Sequence, residues 1–203
     1  MPKNKFHSSV KFIEVEYLKN NRFSFIKNEI LKENIAINMQ YIVFLLSLEE
    51  EYELPGAVTY SSFKTIIVLT ASIVESLIHY KLDELIKSNK IKEEDVTEKE
   101  KKYTDCKILH KISDTEQICG IKKTTKAKRL SHDTNFVDLN NTAKRSGLFT
   151  DDLFRKSDKI RIARNRLHPY GLKEVDNKYS KKDINNIFSM AEAIIKRIQT
   201  YGL

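Results

Sequence analysis

Asp158-Lys-Ile-Arg-Ile-Ala-Arg-Asn-Arg-Leu-His-Pro-Tyr170 is the stretch on which the reading of this chain turns. Its spacing predicts a helix that Pro169 ends, because proline lacks the N–H needed to continue the ladder. At about 100° per residue, Arg161, Arg164 and His168 fall within an arc roughly 60° wide. That arc presents two guanidinium groups and one imidazole together. Ile160, Ala163 and Leu167 lie beside it and are core candidates. Arg164 comes out about 40° from Ile160, at the edge of the apolar side. A fixed cation there is unfavourable without a buried partner or a chemical role.

The neighbouring segments place this helix in a bundle. Thr150 is positioned to cap it, and Asp151 and Asp152 complement the dipole in its first turn. Leu153, Phe154, Ile160 and Leu167 point to the core. Before it, Asn135 to Arg145 reads as a helix ended by Gly147. After it, about Lys181 to Tyr201 carries Ile184, Ile187, Phe188, Ala191, Ile194, Ile195 and Ile198 at helical spacing.

Two longer helices come earlier. From about Ser24 to Glu51, Ile30, Ile37, Tyr41, Phe44 and Leu48 recur at helical intervals, and Pro55-Gly56 closes the segment with a turn. From about Val58 to Ser88 the pattern is apolar over most of the circumference, which belongs in the middle of a bundle. Glu75 sits within it, between Val68, Ala71, Leu82 and Ile86 on a helical projection. A carboxylate there needs a cation, a hydrogen-bond donor or a proton, and the arginines of the 150–168 helix are candidate partners. Residues 1–20 read as a short helix or strand.

Residues 89–104 read as an exposed linker or helix. Lys107-Ile-Leu-His-Lys-Ile112 and Gln117-Ile-Cys-Gly-Ile121, parted by turn formers, suggest a β-hairpin. The basic tract Lys122-Lys-Thr-Thr-Lys-Ala-Lys-Arg129 follows, as either a phosphate-contacting arm or a solvated loop. The expected fold is all-α: one domain over 1–203, an up-and-down bundle of about four main helices with its core at about 30–201. A small β-hairpin and basic loop are inserted at about 105–132.

Composition agrees. Five glycines, three prolines and no tryptophan favour long helices over a many-stranded sheet. No Gly-x-Gly-x-x-Gly, Walker-type Gly-Lys-Ser/Thr or Gly-x-Ser-x-Gly is present, which excludes the nucleotide-binding and hydrolase classes those motifs define. The net charge is +8 and unevenly spread. Residues 101–170 hold 17 Lys/Arg against 8 Asp/Glu, and the remainder 19 against 20, so the excess lies in the segment containing the Arg/His helix. Such asymmetry suits a polyanion, nucleic acid above all, or a solvated lysine-rich surface.

Cys106 and Cys119 make no disulfide framework. With His110 they could offer zinc ligands, but without a Cys-x2-Cys pair two unrelated reduced thiols is the better reading, and no metal or cofactor is expected. The N-terminus lacks a signal-peptide apolar region. The longest apolar runs, Tyr41 to Leu48 and Ile66 to Val74, fall short of the roughly 18 residues that span a bilayer. A cytoplasmic protein without membrane attachment is expected.

Arginine grips phosphate bidentately and stays charged; histidine exchanges protons near neutral pH. Together they suffice for RNA cleavage: the 2′-hydroxyl attacks phosphorus, a base takes its proton, an acid protonates the leaving 5′-oxygen and a cation stabilises the phosphorane. The motif supplies one histidine per chain, and a twofold dimer would supply two. Alternatively, His168 caps its helix and the arginines pair with carboxylates.

Arg161-Ile-Ala-Arg-Asn-Arg-Leu-His-Pro169 resembles the signature of the HEPN superfamily, α-helical domains of prokaryotic RNases and defence systems. That signature is an Arg followed four to six residues later by His, often with a polar residue directly after the Arg. Arg161 and His168 match the longer spacing; Arg164-Asn165 matches the Arg-polar preference but has three residues before His168. Ala71-Ser-Ile-Val-Glu75-Ser-Leu resembles the family's earlier helix, where an acidic residue often faces the motif. Asn135-Phe-Val-Asp-Leu139, upstream of Leu153-Phe-Arg-Lys-Ser-Asp-Lys-Ile, resembles the run-up in related members.

The resemblance covers roughly 30–201 and implies a metal-independent endoribonuclease acting as a homodimer, often a toxin or antiviral-defence effector. It implies His168 as acid/base, Arg164 or Arg161 as phosphate clamp, Asn165 as an orienting group and Glu75 as the residue positioning an arginine. Lys122, Lys123, Lys126, Lys128, Arg129 and Arg166 are the expected RNA contacts. RNA, a second copy, and an antitoxin or defence-system partner are the implied associations. The alternative is a non-catalytic module of the same fold that binds nucleic acid or protein.

Overall fold

In the computed structural model, which describes residues 13–127, 129–165 and 179–202, with side chains outside 99–106 and 122–127, helices dominate and a single hairpin interrupts them. In chain order come α1 (Val15–Asn20), α2 (Glu29–Glu51), α3 (Gly56–Lys87), α4 (Glu93–Val96), β1 (Lys99–Lys111), β2 (Gln117–Ala127), α5 (Phe136–Arg145), α6 (Asp151–Asn165) and α7 (Lys181–Thr200). The protein is therefore α-helical with one two-stranded antiparallel sheet.

The long helix α3 is the element around which the others gather, touching α2, α5, α6 and α7. Its buried residues, among them Ile66, Ile67, Ala71, Ile73, Leu77, Ile78 and Leu82, lie on several sides of it. Each fully buried Ile or Leu contributes about 1.5–3 kcal/mol, so α3 anchors the core. On length and composition it could also cross a bilayer, although its contiguous apolar runs are shorter. Pro55 precedes its first turn, where a missing N–H goes unmissed. The Pro-Gly pair thus opens α3 rather than closing α2.

The expected face of α2 is corrected. Ile30, Ile37 and Tyr41 are exposed, at 77%, 46% and 47%, while Ile35, Ala36, Ile42 and Leu45 are buried. The helix carries two interleaved apolar stripes, and periodicity cannot say which one meets α3. It also begins later than expected, because Asn28 caps it by accepting from the Leu31 N–H at 3.0 Å. Phe23 and Ile26 plug the core from the loop before it.

The hairpin is longer than expected. Lys99 to Thr104 pair with Thr124 to Ala127 and their neighbours in antiparallel register. The segment before Lys107 is thus part strand, and the basic tract up to Ala127 is strand rather than loop. Ile108, Leu109, Ile112, Ile118 and Ile121 on the hairpin are all exposed, so it adds nothing to the core. His110 and Cys119 are exposed as well; the Cys106 side chain lies outside the described set.

The elements that place α6 are well tied. α5 ends at Gly147, whose φ of +74° is open to glycine at little cost, and Leu148 and Phe149 then enter the core. From α7, Arg197 donates to the carbonyls of Leu148 (2.8 Å) and Gly147 (3.2 Å), and the Tyr201 hydroxyl donates to Ser146. Thr150 caps α6, its hydroxyl accepting from the Leu153 N–H at 3.4 Å. Ser180 and Asp183 form a capping box on α7, which buries Ile184, Ile187, Ile194, Ile195 and Ile198 as expected.

Candidate functional site: an arginine-lined cleft

One stripe of α6 runs from the core to the surface. Ser157, Arg161 and Arg164 fall within about 60° of one another at helical spacing, and their environments change along it. Ser157 is fully buried and donates to Asn140 Oδ1 of α5 at 2.6 Å, with Asn140 equally buried. One turn on, Arg161 is tied to its own helix, its Nε donating to Asp158 Oδ1 at 2.7 Å. A further turn on, Arg164 reaches across to α3, where its Nη1 donates to Glu75 Oε2 at 2.5 Å. The Glu75 and Arg164 side chains keep 23% and 36% exposure.

Glu75 is thus a carboxylate set beside the buried Ala71 and Leu82, and the cross-helix arginine supplies its counter-charge. Arg164 spends Nη1 on that bond. Among the described residues its Nε–Nη2 edge has no partner, and that is the edge which grips phosphate in a fork. Arg161 spends Nε and Nη2 on Asp158, so the two arginines differ in what they have left to offer.

Both arginines, with Asn165 and Glu75, line a cleft of about 450 Å³ that is also lined by His132, Asp133, Thr134, Asn135 and the start of α5. A second cleft, of about 520 Å³, adjoins it and shares Glu75, His132 and Thr134, adding Asn28, Ser76, His79, Tyr80 and Asp83. Burial pushes the Tyr80 phenol up to about 12, so it stays protonated at neutral pH, and its oxygen accepts from the Lys27 N–H at 3.0 Å.

The 131–134 loop is held firmly. Thr134 Oγ1 accepts from the Ser131 N–H (2.8 Å), and the Thr134 N–H returns to the Ser131 carbonyl (2.9 Å). His79, one turn beyond Glu75 on α3, donates from Nε2 to the same carbonyl at 2.9 Å. The Leu130 N–H donates to Glu93 Oε1 at 2.6 Å.

The structure brings together Glu75, Arg161, Arg164 and Asn165 of the residues singled out in the sequence. His168 and Arg166 lie outside the described residues, as does Lys128. Lys122, Lys123 and Lys126 are on β2, a strand that packs against α4; Arg129 is exposed and lines a small crevice with Thr97, Glu98 and Asp138. Sequence reasoning passed over His132, Asp133 and His79. The one signal was Ser131-His-Asp-Thr134, a polar turn directly before the Asn135 helix cap. Against family models, characterised proteins and solved structures, the chain gives no match.

Proposed function

We propose that this chain is a metal-independent endoribonuclease of the HEPN type, cleaving RNA by attack of the 2′-hydroxyl on the adjacent phosphate. The observation that carries the reading is the cleft in which Arg164, braced by Glu75, and Arg161 share one wall. Arg164 is the phosphate clamp, because its Nε–Nη2 edge is uncommitted among the described residues; Arg161 adds charge to stabilise the phosphorane. Asn165, exposed at the described end of α6, orients the scissile group. His168, three residues further along the chain, is the acid/base of the sequence motif. The basic excess on and after the hairpin supports an RNA partner.

The architecture is read as an up-and-down bundle of α2, α3, α6 and α7, with the hairpin inserted between α4 and α5. A homodimer belongs to the same reading, supported by the outward stripe of Ile30, Ile37 and Tyr41, spaced to pack against a second copy. A toxin or antiviral-defence role suits such an enzyme, held in check by an antitoxin or system partner.

The test is incubation with structured RNA in EDTA. Cleavage leaving 2′,3′-cyclic phosphate and 5′-hydroxyl ends, lost in Arg164→Ala and His168→Ala, is the expected result. Binding without cleavage across varied RNAs would sink the enzyme reading in favour of the binding module.

A further inference from the structure

We propose that His132 is the general base of the arginine cleft, contributed by the same chain as Arg161 and Arg164; this rests on the endoribonuclease reading above. Transesterification requires one group to take the 2′-hydroxyl proton while another protonates the departing 5′-oxygen. A single imidazole cannot hold both protonation states in one step. The cleft itself offers an imidazole for the first of these roles.

Three observations single out His132. It lines the same cleft as Arg161 and Arg164. Its side chain is 90% exposed, so a bound phosphodiester can reach it. Its Nε2 lies 3.2 Å from Asp133 Oδ2. The backbone beneath is fixed by the Ser131–Thr134 exchange and by the His79 bond to the Ser131 carbonyl. A base must sit within hydrogen-bond reach of its proton, and a pinned loop meets that demand better than a mobile one.

The step balances as follows. The 2′-hydroxyl proton passes to the free ring nitrogen of His132 as the O2′–P bond forms. The P–O5′ bond breaks, and O5′ leaves with a proton from the general acid. The products are a 2′,3′-cyclic phosphate and a 5′-hydroxyl, with no redox change. The titratable and charged groups that line the two clefts with His132 are Asp133 on its own loop, Glu75, His79, Tyr80 and Asp83 on α3, and Arg161 and Arg164 on α6.

The experiment is cleavage kinetics of a defined RNA by wild type and His132→Ala across pH 5–9, with normal and 5′-bridging phosphorothiolate substrates. The thiolate leaves without a proton, so it needs a base but no acid. Expected for His132→Ala is a loss of about 10²–10⁴-fold in kcat with KM little changed. The rising limb of the pH profile disappears, exogenous imidazole restores part of the rate, and the defect persists on the phosphorothiolate. Full activity on the phosphorothiolate would overturn the base assignment. A wild type that cleaves while His132→Ala stays within threefold of it would overturn the inference and leave the endoribonuclease reading standing. A wild type that cleaves no RNA would sink both.

Discussion

Arg164 and Glu75 join the two halves of the cleft, and the strength of that join can be worked out. Two unit charges about 4 Å apart attract by about 4 kcal/mol at an effective dielectric of 20. Their side chains keep 36% and 23% exposure, so solvent screening reduces the coupling to about 1–1.5 kcal/mol. The single substitutions are unequal. Arg164→Ala leaves Glu75 beside Ala71 and Leu82 without its partner and costs about 2 kcal/mol. Glu75→Ala costs about 1 kcal/mol, because the more exposed guanidinium can turn to water. The assay is urea unfolding followed by far-UV circular dichroism on wild type, both single variants and the double variant, at 0.05 and 0.5 M salt. A coupling that loses less than half its value at high salt is the signature of a partly buried pair. A coupling below about 0.3 kcal/mol, or one that vanishes at 0.5 M salt, would refute the claim that Glu75 fixes the arginine.

Two further expectations concern the frame around the cleft. Ser157→Ala strands the buried amide of Asn140, whose Nδ2 already lacks a partner among the described residues; it should cost about 1–3 kcal/mol in the same unfolding assay, and an unchanged midpoint would show that the pair is not needed. Asp183 has its carboxyl held below the ordinary 3.8 by the Ser180 hydroxyl and N–H. A lowered folded value adds stability that is present above pH 3.8 and fades as pH falls through the lowered value. Asp183→Asn should therefore cost about 1 kcal/mol at pH 7, and the difference from wild type should shrink as pH falls below 3.8 and through the lowered value; a gap independent of pH would contradict this.

How much of this was legible beforehand differs from element to element, for physical reasons. α6 and α7 could be read because each pairs one apolar stripe with polar caps that match it. Glu75 could be read because a carboxylate among apolar neighbours must find a cation, and Arg164 on a core boundary must find an anion. The buried face of α2 could not be read, since Ile30-Ile37-Tyr41 and Ile35-Ile42-Leu45 are equally periodic and the choice is made by α3. The length of the hairpin was hidden because Lys99 to Thr104 and Lys122 to Ala127 pair without apolar alternation. His132 was hidden for a different reason. A loop residue gains its surroundings from the packing of α3, α5 and α6 together, and no local pattern encodes that.

Glu75 and His79 stand four residues apart on α3, so they lie on one side of it. The first holds Arg164 of α6; the second holds the strap of chain that carries His132. Both sides of the cleft are thereby referred to a single rigid datum. α6 and the 131–134 strap are thus tied to neighbouring positions of one helix. A ligand bridging the two sides meets surfaces anchored four residues apart on α3, about 6 Å of helix, rather than surfaces set by several independent packings.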